Sequence, residues 1–148
     1  MPNQIGQIIG IAKRQAKRAK MEALSHTHVS CEYGLEGDFR GKPGPRQFSI
    51  LTEEGWQLAC EELSQDIHWT VRRANLFIKG LDLKQSVGNR LIIGDLILEI
   101  TDELDPCSRM EEQVIGLRKA LIEDWRGGVL CRVINGGAIK IDDRITLE

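Results

Sequence analysis

Residues 88–97 read GNRLIIGDLI, and residues 136–145 read GGAIKIDDRI. Gly88, Leu91, Ile93, Gly94-Asp95 and Ile97 of the first are matched 48 residues later by Gly136, Ile139, Ile141, Asp142-Asp143 and Ile145. Each stretch has the alternation of a strand with one buried face, a tight turn carrying Gly or Asp, and a second such strand, as in a hairpin. Only two stretches have a helical pattern, at about 52–65 and 111–124. Short strands joined by Gly/Asp turns, with so few helices, predict a mainly β protein: a small closed or nearly closed β-barrel with a few short helices. Closure removes the unpaired strand edges that an open sheet would expose.

Upstream, Ile5 to Ile11 is a β-branched run punctuated by Gly6 and Gly10, which suits a strand entering a tightly curved sheet. The stretch KRQAKRAK follows, placing Lys13, Arg14, Lys17, Arg18 and Lys20 before the first acid, Glu22. It reads as a solvated loop or an exposed turn of helix, with contact to an anionic ligand or nucleic acid as the alternative. His26, His28 and Ser30 alternate with Thr27, Val29 and Cys31 as a second strand, ended by the 34–37 turn region. Gly41, Pro43, Gly44 and Pro45 mark a loop, and Gln47 to Leu51 is extended again. Thr52 then reads as a helix N-cap, with Glu53 and Glu54 in the first turn and Trp56, Ala59, Cys60 and Leu63 forming a core-facing stripe.

At 148 residues the chain suits one domain, 1–148, since a chain of this size buries roughly 70% of its unfolded surface. It is 41% hydrophobic and 28% charged, with a net charge of −2, so it reads as neither disordered nor polycationic. That balance makes nucleic acid an unlikely partner. No apolar run approaches the roughly 20 residues of a membrane-spanning helix, and the first residues lack the order of a signal peptide. A cytoplasmic protein with no membrane partner is the expectation.

Four cysteines, Cys31, Cys60, Cys107 and Cys131, are scattered singly, without the spacing of a zinc knuckle or a disulfide framework. Cys60 lies on the helical stripe, and Cys131 shares an apolar face with Val129 and Val133, so both read as core. Cys107 differs: Pro106 favours a loop there, and Arg109, two residues on, supplies a cation that favours the thiolate. Arg72, Arg73, Arg126 and Arg132 form a second constellation, suited to gripping phosphate or carboxylate bidentately. Gly127-Gly128 beside Arg126 would let backbone N–H groups approach an anion, or would simply stop a helix; Asn75 adds an amide that both donates and accepts. His26 and His28 share a strand face, but Cys31 points the other way, which leaves too few ligands for a closed zinc site. Phosphate-binding glycine loops, a nucleophile elbow and HExxH are all absent from the sequence.

Together these segments resemble the MOSC family, found at the C-terminal end of molybdenum cofactor sulfurases and as small stand-alone bacterial proteins. The resemblance runs in order through Gly34-Leu35-Glu36-Gly37-Asp38, Arg46-Gln47, Arg72-Arg73-Ala74-Asn75-Leu76, Gly80-Leu81-Asp82-Leu83 and Gly94-Asp95. It continues with Pro106-Cys107-Ser108-Arg109-Met110, Arg126-Gly127-Gly128, Arg132-Val133 and Gly136-Gly137. It implies a β-rich barrel with small helices, and it singles out Cys107 as the functional cysteine, a catalytic thiol or metal ligand. It further implies carriage of sulfur as a cysteine persulfide, or binding of molybdenum cofactor (molybdopterin), for cofactor or metal–sulfur assembly. Arg72, Arg73, Asn75, Arg109, Arg126, Gly127 and Gly128 would then hold the cofactor.

The chain departs from the family pattern where Ala74 separates Arg73 from Asn75. In a strand, one inserted residue turns the amide to the other face unless a bulge absorbs it. The pyridoxal-phosphate-dependent domain of the sulfurases is absent from this sequence, so pyridoxal phosphate is not expected. Sulfur would come from a donor such as a cysteine desulfurase and pass to an acceptor molybdoenzyme or cluster-assembly protein. Two alternatives stand beside this reading: a molybdenum-dependent reductase component acting on N-oxygenated substrates, and an interaction module using the basic N-terminal segment.

Overall fold

The β-branched and alternating stretches form eleven strands among the described residues, 5–148, of a computed structural model. In chain order they are β1 (Ile5–Lys13), β2 (Glu22–Ala23), β3 (His26–Ser30), β4 (Gly34–Leu35), β5 (Phe48–Thr52) and β6 (Leu76–Lys79). The second half adds β7 (Arg90–Ile93), β8 (Leu96–Glu103), β9 (Val129–Asn135), β10 (Gly137–Lys140) and β11 (Arg144–Leu147). Three helices intervene: α1 (Glu53–Leu63), α2 (Ser108–Gln113) and α3 (Leu117–Ile122).

Seven strands close into a barrel in the order β11-β7-β8-β9-β5-β6-β1, because β1 pairs back to β11 as well as to β6. Of its neighbouring pairs, β5–β6 is parallel and the others are antiparallel. The parallel pair needs a crossover, and α1 with the 69–75 segment supplies it. A second sheet, β10-β3-β4, lies beside the barrel.

Two cores follow from the period-2 pattern. Inward residues including Ile8, Ile50, Ile78, Leu91, Leu98, Ile100 and Cys131 fill the barrel. Leu51 and Phe77, on the opposite faces of β5 and β6, pack with Trp56 and Ala59 of α1 and Leu117 and Leu121 of α3. Each fully buried aliphatic side chain contributes about 1.5–3 kcal/mol. Thr52 caps α1 as expected, its Oγ1 accepting from Gly55 N at 3.2 Å. On β1 the register slips between Ile8 and Gly10, a bulge that sharpens the bend. A Cβ on Gly10 would stand 2.6 Å from Trp69 Cζ2; its absence lets Trp69 lie close to the strand while stacking on Phe77 at 5.1 Å.

The structure corrects two expectations. Residues 88–97 form a true hairpin, with Ile93 opposite Leu96 across Gly94-Asp95, but the stretch at 136–145 does not. There β10 pairs with β3 and β11 with β1 and β7, because the 141–143 turn bonds to β1 through Asp142 N to Ile8 O and Ile8 N to Asp143 O. The chain thus turns a corner between two sheets. The helix expected at 111–124 is two helices that begin three residues earlier. Gly116, at φ 88, breaks the run, and its N–H goes to the Glu111 carboxylate at 2.8 Å.

Candidate functional site

Beside the barrel end where β5 and β6 meet the 104–107 loop lies a cavity of about 240 Å³. Its wall carries Arg14, Lys17, Arg18, Arg40, Arg46, Arg72, Arg73 and Arg109, against only two acids, Asp38 and Asp105. Cys107 shares that wall and is exposed. Cys131 is fully buried, and burial pushes its thiol well above the usual range; Cys60 is half-buried. Cys31 is exposed but lies elsewhere, its thiol donating to Ile134 O at 3.3 Å.

Arg72 and Arg73 are consecutive yet hold different walls. Residues 69–72 form a 3-10 turn, so the strand alternation by which Ala74 would carry Asn75 to the other face does not apply, and Arg73 follows in the left-handed conformation at φ 67. That turn resets the backbone, so Arg72 points inward and Arg73 outward. Arg72, 5% exposed, donates from Nε to Gly127 O at 2.8 Å and from Nη2 to Leu104 O at 2.6 Å. Burial lowers its guanidinium to about 10, which leaves it charged at neutral pH; Cys107 and Asp105 pull the other way. Arg72 is thereby the post to which the loop leading to Cys107 is tied. Leu104 N completes the tie by donating to Gly128 O at 2.8 Å.

Arg73 reaches the basic stretch at 13–20, which forms an irregular strap along the cavity. Its Nη2 donates to Lys17 O at 3.3 Å and Ala19 O at 2.7 Å. The strap is also fixed by Arg14 N to Asp38 Oδ1 at 3.0 Å, Phe39 N to Arg14 O at 2.7 Å, Arg14 Nη1 to Lys17 O at 3.1 Å and the pairing of Lys13 with Glu22. Burial and the nearby Arg40 guanidinium lower Arg14; burial, Arg14 and Arg109 lower Arg73. Cations crowded enough to weaken one another's protonation form a site that an anion relieves.

The other expected site residues divide. Asn75 lines the cavity, but its amide is spent on the frame: Oδ1 accepts from Ser49 N at 3.1 Å and Oγ at 3.2 Å, and Nδ2 donates to Ala12 O at 3.3 Å. Arg109 reaches the cavity and is partly neutralised by Glu112 at 3.6 Å. Arg126 is not brought to Cys107. Two consecutive left-handed residues, Asp124 and Trp125, turn the chain so that Arg126 meets Glu62 at 3.5 Å, Glu123 at 3.8 Å and Ala120 O at 3.1 Å. Gly127 and Gly128 serve packing. A Cβ on Gly127 would come 2.7 Å from Leu104 O and 3.1 Å from Arg72 Nη2, and one on Gly128 would strike Ile50 O. Arg132 is exposed on β9, opposite Glu99 of β8.

His26 and His28 are both exposed on β3, as the alternation predicts. Among the described residues no group of three or more His, Cys, Asp or Glu could hold a metal ion. No helix among them is long and apolar enough to cross a membrane.

Sequence reasoning did not assign Lys17, Arg18, Arg14, Arg40, Arg46 or Asp38 to the site. The charge density of 13–20 was the available signal, but nothing local says that this strap lies about ninety residues upstream of the thiol it faces.

The fold has known counterparts. The YUAD protein from Bacillus subtilis superposes with a TM-score of 0.84 at 20% identity, over 99% of this chain and 97% of that one. YiiM from Geobacillus stearothermophilus gives 0.78 at 17% identity, over 97% of this chain and 75% of that one. YiiM from Escherichia coli gives 0.71 at 17% identity, over 100% and 70%. A search of curated proteins returned no match. The model of the MOSC domain matches residues 36–146, spanning the cavity's Arg40, Arg72, Arg73, Cys107 and Arg109. With three quarters of its length matched in this way, and with a barrel of the same architecture, the chain belongs to the MOSC domain family.

Proposed function

We propose that this protein holds the phosphate-bearing molybdenum cofactor in the cationic cavity, with the Cys107 sulfur as the group that meets its reactive end. The observation that carries this reading is the meeting of an exposed thiol with seven arginines and a lysine on one cavity wall. Among the described residues none of Arg14, Lys17, Arg18, Arg40 and Arg46 forms a salt bridge, so their charge is available to a ligand. Arg73 Nε is buried without a hydrogen-bond partner, an unmet donor that a phosphate oxygen would satisfy. The residues present therefore fit the group.

The cofactor supplies, when bound, a metal that accepts soft sulfur ligands. The chain's own part is to bind and orient. Arg14, Lys17, Arg18, Arg40 and Arg46 neutralise the phosphate, and Arg72 fixes the loop from which Cys107 presents its sulfur.

The same exposed sulfur suits sulfur carriage. Attack by Cys107 Sγ on the outer sulfur of a donor persulfide forms one S–S bond and breaks another, and the donor leaves as a thiolate with no net oxidation. A cysteine desulfurase is the kind of donor this requires, and a molybdoenzyme or cluster-assembly protein the kind of acceptor.

Protein made in a host that produces the cofactor tests the reading through metal analysis and native mass spectrometry. Stoichiometric molybdenum in the wild type, lost in Cys107→Ser, supports cofactor binding. A reductant-sensitive adduct of about 32 Da, one sulfur atom, on the Cys107 peptide supports carriage. Absence of both overturns the proposal.

A further inference from the structure

We infer that Arg73 is a positioning residue: it holds the 13–20 strap over the cavity, so that the strap's cations become part of the binding site. The inference deepens the reading above and rests on its anion-binding cavity, but the role of Arg73 is readable without any ligand.

The strap has a problem that Arg73 solves. Arg14, Lys17 and Arg18 face the same cavity as Arg40, Arg46 and Arg109, so mutual repulsion drives the strap outward into solvent. Strand pairing pins only its ends, Lys13 of β1 opposite Glu22 of β2, and leaves residues 14–21 between them unpaired. What opposes the repulsion near Arg14 is the Asp38 carboxylate and the Phe39 N–H. Beyond Arg14, the Lys17 carbonyl is shared between Arg14 Nη1 at 3.1 Å, which lies within the strap itself, and Arg73 Nη2 at 3.3 Å, while the Ala19 carbonyl is held by Arg73, which thus ties the strap to the 69–75 segment.

The left-handed backbone at Arg73, uncommon for any residue but glycine, is what swings its side chain to the strap while Arg72 stays buried. Both carbonyls are met by the single nitrogen Nη2, which the rigid planar guanidinium holds in a fixed place; the flexible lysine ammonium keeps the charge without that preorganisation. With one nitrogen on the strap and a buried Nε unmet, Arg73 also makes strap order respond to anions.

The test compares wild type, R73K and R73Q by limited trypsin digestion and by calorimetric titration with inorganic pyrophosphate. Cleavage after Lys17 or Arg18 is counted against cleavage elsewhere, with the thermal midpoint as a check on global folding. The expected result without ligand is cleavage at the strap at least ten-fold faster in both variants, at nearly unchanged thermal midpoint. Pyrophosphate is expected to protect the wild-type strap and to bind R73K at least ten-fold more weakly, although R73K has the same charge. Wild-type cleavage and affinity in R73K overturn the positioning role, and loss in R73Q alone means that Arg73 acts by charge. Failure of pyrophosphate to bind wild type, with the strap still loosened in R73K, refutes the anion-binding cavity and leaves the positioning role standing.

Discussion

Gly127→Ala separates two explanations for a glycine next to the Cys107 loop. The added Cβ would stand 2.7 Å from Leu104 O, a backbone atom, and 3.1 Å from Arg72 Nη2. Leu104 cannot simply move away, since its carbonyl accepts from Arg72 at 2.6 Å and its N–H donates to Gly128 O at 2.8 Å. Overpacking a tight site costs about 1–3 kcal/mol, and relaxation by breaking the Arg72 bond would forfeit about 1.5–3 kcal/mol. A loss of about 2 kcal/mol is expected, which at a urea m-value of about 2 kcal/mol/M lowers the midpoint by about 1 M. The displaced loop carries Cys107, so its alkylation rate should change in the same variant. If the glycine instead serves close approach of a bound anion, the ligand-free protein should keep its midpoint and only pyrophosphate binding should weaken. An unchanged midpoint with unchanged Cys107 reactivity would refute the packing argument.

Alkylation under native conditions, followed by peptide mass spectrometry, should label Cys107 and Cys31 readily and Cys60 slowly, and should reach Cys131 only after unfolding, because burial holds that thiol protonated. Leu98→Ala, a truncation inside the barrel at a fully buried site, is expected to cost about 2–5 kcal/mol by urea unfolding while leaving the order of cysteine reactivity intact. The Glu103 carboxyl is raised above its ordinary value by burial, then by Asp105 and Asp102. A carboxyl raised on folding contributes stability that is present below its unfolded pKa and lost as pH rises through its folded value. Glu103→Gln should therefore gain stability relative to wild type at pH 7 but not at pH 4, and an equal change at both would count against that cause.

The barrel was legible because its evidence is local and repeated. Alternation in Leu91, Ile93, Leu96 and Leu98 marks one buried face whatever the strands pair with, and Thr52 with Glu53 and Glu54 announces α1 on its own. Pairing was less legible. The two similar stretches at 88–97 and 136–145 differ in fold because the second bonds to β1, which lies far away in the chain. Cys107 was legible at the site through Pro106 and the motif around it. Arg126 was misplaced for a physical reason: sequence proximity to Gly127 says nothing of the turn through Asp124 and Trp125 that carries its side chain to Glu62.

By itself the sequence determined the local periods: which residues face a core, where chains turn, which thiol sits in a loop, and that positive charge is concentrated at 13–20. Tertiary structure decided what those charges are for. Closing β1 against β6 and β11 sets the strap beside the 104–107 loop, and Arg72 and Arg73 tie the two walls in place. Side-chain alternation is a property of a few neighbouring residues, whereas the meeting of Arg14 with Cys107 depends on the closure of the whole barrel.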